Sequence, residues 1–395
     1  MINNPNIIIG NLRYLILCCA YALTGLMVSC SSEDSEPLCD GYDELVFVTG
    51  KQSRAAESTT ANLTSKPFAL YGNVCLANDE SDITELMNGR QATYSSGKWN
   101  YGTTIYWFPN HIHTFLALHP IEAVNNTRTV TDVKYDNSRL SFKYTHPANY
   151  KNASDLLIAT HRRRYDQVMG KIEDPVSFTF EHILSVLDIR VKYNEELAYN
   201  NWNNRIVITE IVLDTINVSG TYSVHPDNLT EANARVGTDA HSESGWSNLT
   251  SGSRSFKGDA YTTHNTGHMN QYGVQPGEFK PVFQNADAIT VLPKAPGNVK
   301  LTMKFMLYVN GTYAADHTLS TVLENVEWKA GQKITYNLQV SIGELLQGEC
   351  TVEKWNDISG ENVTETITDT SSDHDAGKGD LNLGEGWSNI KHDWQ

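Results

Sequence analysis

Apolar and polar positions alternate along most of this chain, in short runs separated by turn-forming residues. Val176-Ser177-Phe178-Thr179-Phe180 alternates without a break. From Val186 to Tyr193 the residues Leu187, Ile189, Val191 and Tyr193 fall on one side and Val186, Asp188, Arg190 and Lys192 on the other. A period of two is the mark of a β-strand with distinct faces. The same reading predicts strands over Glu44–Thr49, Pro67–Leu76, His113–Leu118, Asp155–Thr160, Ile206–Leu213, Val218–Val224, Ile289–Leu292, Val299–Val309, His317–Leu323 and Lys333–Ile342, with a closing strand at Val352–Trp355. In the first of these, Leu45, Phe47 and Thr49 alternate with Val46 and Val48, and the pattern leaves either face as the buried one. Gln91–Tyr101 and Thr104–Phe108 form a predicted hairpin stopped by Pro109. Val133–Tyr135 and Arg139–Tyr144 flank a turn at Asp136-Asn137-Ser138.

Helical periodicity is nearly absent. Ile83–Asn88 reads as a short helical turn, and Glu181–Ser185 as a helical turn or a bulge. Lys51–Ser65 reads as a polar loop, Arg162-Arg163-Arg164 as a basic loop, and residues 225–285 as long loops outside the core. Many short strands with turn signals between them predict an all-β fold of packed sandwiches. With no helix long enough for a crossover, parallel pairing is not expected. The pattern shifts near Pro175. That places an N-terminal β-sandwich domain at 44–174, a C-terminal one at 175–355 with the loop-rich insert at 225–285, and a polar tail at 356–395.

Composition narrows the class. Charged residues are 19 % of the chain, and the net charge is −16. So acidic a protein has no general basic field for nucleic acid. The six cysteines are Cys18, Cys19, Cys30, Cys39, Cys75 and Cys350. Cys39 pairing with Cys75, Cys350 pairing with either, and buried thiols all remain open. No Cys-x-x-Cys pair points to structural zinc.

The N-terminus carries its own pattern. Residues 1–29 read as a secretory signal: Arg13 is the one charged side chain, and Tyr14 to Met27 is apolar but shorter than the ~20 residues of a membrane span. Leu26-Met27-Val28-Ser29-Cys30 resembles a bacterial lipobox, which implies cleavage before Cys30 and acylation of that cysteine. Several acyl chains, at ~0.8 kcal/mol per buried CH₂, hold a protein on a membrane. Residues 30–43 form an acidic tether. Its Glu33-Asp34-Ser35-Glu36 resembles the export signal of surface lipoproteins in the Bacteroidetes, which implies an outer-membrane, surface-exposed position.

No catalytic constellation appears. His111, His113 and His119 lie close in sequence, but no carboxylate or cysteine joins them as a metal site, and core or surface histidines are the simpler reading. His182, between Phe180 and Ile183, reads as a hydrogen-bonded structural histidine. Nucleotide-loop, nucleophile-elbow and zinc-protease motifs are missing. The reading is a non-enzyme with neither cofactor nor metal. Its 19 Tyr and 8 Trp read as sheet packing before a sugar platform. Asp214-Thr215-Ile216 resembles a Bacteroidetes O-glycosylation sequence.

Five stretches together resemble the fimbrillin family of Bacteroidetes, the subunits of type V pili. They are Ser53-Arg54-Ala55 after a first strand, Phe68-Ala69-Leu70-Tyr71-Gly72, and Trp99 with Tyr106-Trp107-Phe108-Pro109 and Phe115-Leu116-Ala117-Leu118-His119-Pro120. The remaining two are Val176 to Val186, and Trp328-Lys329-Ala330-Gly331-Gln332 followed by Thr335-Tyr336-Asn337-Leu338. The resemblance implies two transthyretin-like β-sandwich domains in tandem and a structural role as subunit or anchor of a fimbrium used in adhesion. It implies partners that are other pilin subunits, joined by β-strand addition, and an outer membrane reached through the lipid. It also implies cleavage by an arginine-directed protease between Arg54 and Ala55. That would release the strand Leu45, Val46, Phe47, Val48 and Thr49 and leave a groove for a neighbour's strand. The alternative is a monomeric surface lipoprotein that holds a glycan or host protein through loops 225–285.

Overall fold

The computed structural model describes residues 44–49, 60–96, 98–124, 129–165, 175–193, 205–257, 279–282, 289–309, 312–340 and 345–354. The signal region, Cys30, the acidic tether, Cys39, Arg54 and Ala55, and the tail from 356 lie outside these residues.

Strands dominate. In order they are β1 (Phe47–Thr49), a short helix α1 (Thr60–Ser65), β2 (Phe68–Leu76), β3 (Asp79–Ser95), β4 (Lys98–Asn100), β5 (His111–His119), a one-turn helix α2 (Ile121–Val124), β6 (Val130–Asp136), β7 (Arg139–Thr145), β8 (Leu157–Tyr165), β9 (Val176–Phe178), β10 (Glu181–His182) and β11 (Ser185–Tyr193). Then come β12 (Arg205–Val224), β13 (Gly245–Lys257), β14 (Lys280–Pro281), β15 (Ile289–Val291), β16 (Lys294–Val309), β17 (Thr312–Trp328), β18 (Gln332–Val340) and β19 (Leu345–Lys354).

These strands form an all-β, sandwich-type fold. One six-stranded sheet has the order β10-β8-β5-β2-β3-β4, and a second has β17-β16-β12-β7-β6 with β13 on the other side of β12. A third sheet runs β14-β11-β18-β19 with β15 against β11, and β1 pairs with β9 alone. Alternation along β2 explains the layering. Phe68 and Leu70 enter a core shared with Phe47, Trp99, Phe115 and Phe178. Ala69 and Tyr71 enter a different core, against Leu140, Phe142, Tyr144 and Tyr222. A third core joins Leu187, Ile189 and Val191 of β11 to Ile211, Leu301, Met303, Phe305 and Trp328. The hairpin at Asp136-Asn137-Ser138 is set by left-handed backbone at Asn137 (φ 48°) and Ser138 (φ 61°), which suits a tight turn between twisted strands.

Six sequence expectations are corrected. Thr60–Ser65, read as the end of a polar loop, is helix α1, and the hairpin expected from Gln91–Tyr101 and Thr104–Phe108 is instead β3 against β4, from Thr93↔Asn100 to Ser95↔Lys98. Ile83–Asn88 is strand, not helix: it lies inside β3, whose backbone pairs with β2. Thr84, Glu85 and Asn88 are exposed, Ile83 and Leu86 half-buried and Met87 buried, so no period of two marks it. Arg162-Arg163-Arg164 is strand rather than loop. These residues pair with Ile112, His113 and Thr114 of β5, and Arg162 and Arg163 are buried. Residues 225–285 are not all peripheral loop. β13 pairs along β12, and its Phe256 is 1 % exposed in the third core. Parallel pairing does occur: β11 runs parallel to β18 from Val186↔Lys333 to Tyr193↔Val340, and β1 runs parallel to β9. The crossover between β11 and β18 is built of strands, so it needs no long helix.

Candidate strand-exchange site

The leading strand is short but deeply seated. Leu45 and Phe47 are each 1 % exposed, while Val46 is 40 % exposed. The buried face is therefore the Leu45/Phe47 one. Its backbone ties are few. Glu44 bridges to Tyr106, and the Leu45 N–H donates to Ile105 O at 2.8 Å. The Val176 N–H donates to Val46 O at 2.8 Å, and Phe47, Val48 and Thr49 lie in register with Val176, Ser177 and Phe178. The Tyr101 hydroxyl donates to Leu45 O at 2.6 Å.

Phe47 sits in an aromatic box. It meets Tyr101 and Phe115 edge-on at 5.2 and 5.1 Å between centroids and stacks on Phe178 at 5.5 Å. Phe178 in turn meets Phe68 and Phe180. Burying each of Leu45 and Phe47 is worth ~1.5–3 kcal/mol, and each backbone bond ~0.5–1.5 kcal/mol. Two side chains thus supply most of the attachment. Without them the box around Tyr101, Phe115 and Phe178 would be an open apolar trough beside a strand edge.

Other singled-out residues are structural. The Trp328–Gln332 turn closes on the segment that follows β9: Gly331, at φ +71°, donates its N–H to Leu184 O at 2.8 Å, and Ser185 Oγ donates to Lys329 O at 2.8 Å. Two of the five resembling stretches therefore meet directly. Trp328 is buried, and its Nε1 donates to the Tyr336 hydroxyl at 3.0 Å. His182 Nδ1 lies 2.9 Å from Asp155 Oδ1. His113 is buried and its Nε2 accepts from the Phe108 N–H at 3.1 Å. Burial pulls its pKa down to about 3, so it stays neutral. Among the described residues no group of three His, Cys, Asp or Glu side chains forms a metal site. Cys75 is a buried thiol on β2 and Cys350 a thiol on β19. Thr215 is exposed on β12 with φ 65°, where the pairing register with β13 shifts.

Sequence reasoning missed a strap. Part of the 225–285 segment lies along the edge of β8. Arg162 and Thr238 exchange N–H···O bonds of 2.8 Å in both directions, and the Arg164 N–H donates to Ala234 O at 2.9 Å. Arg162 reaches Glu80 at 2.5 Å and Asn228 at 2.8 Å, and His241 Nε2 lies 3.1 Å from Glu181. Nothing in the polar sequence from Asn228 to His241 marks this docking. The three arginines on β8 were its one signal.

The chain belongs to the fimbrillin family: the model of the "Fimbrillin-like" family matches residues 53–355. Members of that family are structural and non-catalytic. The fold is similar to that of a fimbrial protein from Bacteroides vulgatus ATCC 8482, at 16 % identity, 80 % of this chain and 99 % of that one, with TM-score 0.55. A candidate cell-adhesion protein from Bacteroides uniformis ATCC 8492 matches at 18 % identity, 80 % and 100 % coverage and TM-score 0.46. No curated protein matches the chain.

Proposed function

We propose that this protein is a lipid-anchored, surface-exposed subunit or anchor of a type V pilus, joined to its neighbours by exchange of the Leu45–Thr49 strand. In this reading Cys30 is acylated and holds the chain on the outer membrane. Cleavage between Arg54 and Ala55 frees the strand. The chain is two tandem transthyretin-like sandwiches, and Val176, Phe178 and Phe180 pack with the first. The name of the Bacteroides vulgatus relative, a fimbrial protein, agrees with a role in a fimbrium.

The observation that carries the proposal is the contrast in the leading segment. Leu45 and Phe47 are fully buried, yet the ladder of β1 with β9 is three residues long. A strand of a neighbouring subunit with apolar groups at the same two positions, and more residues paired, outcompetes it. That is recognition by β-strand addition. Release of β1 first removes its loop-closure advantage.

The test is mass spectrometry of the N-terminus, on cells and on purified surface fibres, with an SDS gel of unheated samples. The expected result is an acylated Cys30 in cell-bound chains, a start at Ala55 in assembled ones, and an SDS-resistant ladder. Substituting Arg54→Ala should abolish both the new terminus and the ladder for a stalk subunit. An anchor would keep Cys30 and still enter the ladder. A monomer band alone, with Cys30 retained, overturns the proposal in favour of a monomeric binding lipoprotein.

A further inference from the structure

The geometry points to a second interaction surface: the outer edge of β17, which pairs antiparallel with the same edge of a second copy of this chain. Sheet edges present unpaired N–H and C=O groups, and proteins blunt them with charge, bulges or cover. Most long edges here are blunted. The outer edge of β3 carries Asp79, Glu80, Asp82, Glu85 and Arg90. β6 carries Asp132, Lys134 and Asp136 and has a register shift. β13 follows three register shifts against β12, β19 carries Glu353 and has one shift, and β8 is covered by β10 and the strap.

β17 is different. Among the described residues it pairs only with β16, and the register runs unbroken from Ala315↔Leu307 to Leu323↔Val299. Thr318-Leu319-Ser320-Thr321-Val322-Leu323 contains neither charge, proline nor glycine. The row facing the core is incompletely covered. Leu323 is buried, but Ala315, His317, Leu319 and Thr321 are half-buried beside Leu307, Phe305, Met303 and Leu301. Val322, on the outer row, is 46 % exposed. A further strand would cover the inner row and satisfy the edge.

The choice of a second copy rests on self-complementarity. The unbroken segment 315–323 pairs with itself over its whole length about Leu319. Leu319 then faces Leu319 of the other copy, Thr318 faces Ser320, His317 faces Thr321, Asp316 faces Val322 and Ala315 faces Leu323. This register keeps core-facing rows together and sets no like charges opposite each other, as a two-fold interface requires. The surface is separate from β1, so the inference does not rest on strand exchange.

The test is sedimentation of the detergent-solubilised full chain over a concentration series, with amide hydrogen exchange across β17. The expected result is a dimer whose amides at 315–323 become protected as it forms. A Thr318→Lys/Ser320→Lys variant sets lysine against lysine twice and should weaken the dimer about tenfold. Both residues are exposed, so the fold tolerates the change. Ser81→Lys/Thr84→Lys on the β3 edge should leave the dimer unchanged. A monomer at every concentration overturns the inference. So does a dimer indifferent to the β17 lysines, or a monomer with protected β17 amides, in which the chain's own segment is the cover.

Discussion

The hydroxyl of Tyr101 donates to the backbone carbonyl of Leu45 across 2.6 Å, and the same ring lies edge-on to Phe47 at 5.2 Å. One side chain therefore holds both the backbone and the anchor of the leading strand. Burial raises the phenol pKa to about 12, so it remains a donor at ordinary pH. Tyr101→Phe keeps the ring contact and removes only the O–H. The expected cost is ~0.5–1.5 kcal/mol. Amide exchange at residues 45–49 should accelerate before that of β2 or β5. Uniform acceleration everywhere would contradict a local clamp.

The two faces of the leading strand should respond unequally to substitution. Phe47→Ala empties the aromatic box and should cost ~3–5 kcal/mol in urea unfolding of the uncleaved chain. Val46→Asp, on the exposed face, should stay within about 0.5 kcal/mol. Equal losses at the two positions would mean that the strand does not sit in solution as its burial indicates.

This unequal burial is also where the sequence stopped short. Leu45–Thr49 reads as a strand, but all five residues suit a strand face, and only the box around Phe47 settles the side. Strands with one wet face, such as β7 and β11, were legible because burial imposes a period of two. β3 was not: Asp79–Ser95 is held by backbone pairing with β2, which leaves no side-chain signature. Arg162 and Arg163 misled for the opposite reason. Their charge suggests solvent, yet the first donates to Glu80 and Asn228, and the second lies over Trp107 at 5.7 Å. Of the candidate site, the anchors were legible and their partners Tyr101, Phe115 and Phe178 were not. Contacts between residues far apart in sequence leave no local pattern.

Acid should loosen the fold through its buried histidines. Burial lowers the pKa of His119 to about 3 and that of His161 to about 4, against 6.5 for an ordinary histidine. The unfolded chain then binds protons that the folded chain does not. The stabilisation these neutral rings provide is complete above pH ~6.5 and is lost progressively as pH falls toward 3 to 4, by ~1.4 kcal/mol per unit for each histidine. His119, with no hydrogen-bond partner on either ring nitrogen among the described residues, is the clean probe. His119→Leu should shrink the stability difference between pH 7 and pH 5 by about 2 kcal/mol. Urea midpoints at the two pH values measure it, and an unchanged difference would mean that this ring is not held neutral by burial.

A change behind the aromatic box should reach the strand in front of it. A Cβ on Gly72 would stand 2.7 Å from Phe115 Cδ1 and 3.2 Å from Met87 Cε. Phe115 is fully buried and its ring lies 5.1 Å from that of Phe47, so it cannot yield without pressing on the leading strand. Gly72→Ala should therefore cost ~1–3 kcal/mol as overpacking. It should also speed amide exchange at residues 45–49, although Gly72 does not pair with them. Adding Phe115→Leu relieves the clash, so the double variant should lose less than the two single costs combined, a coupling expected between residues in contact. Strict additivity in the urea cycle would mean that Gly72 and Phe115 do not press on one another, and the path from β2 through Phe115 to the leading strand would fail.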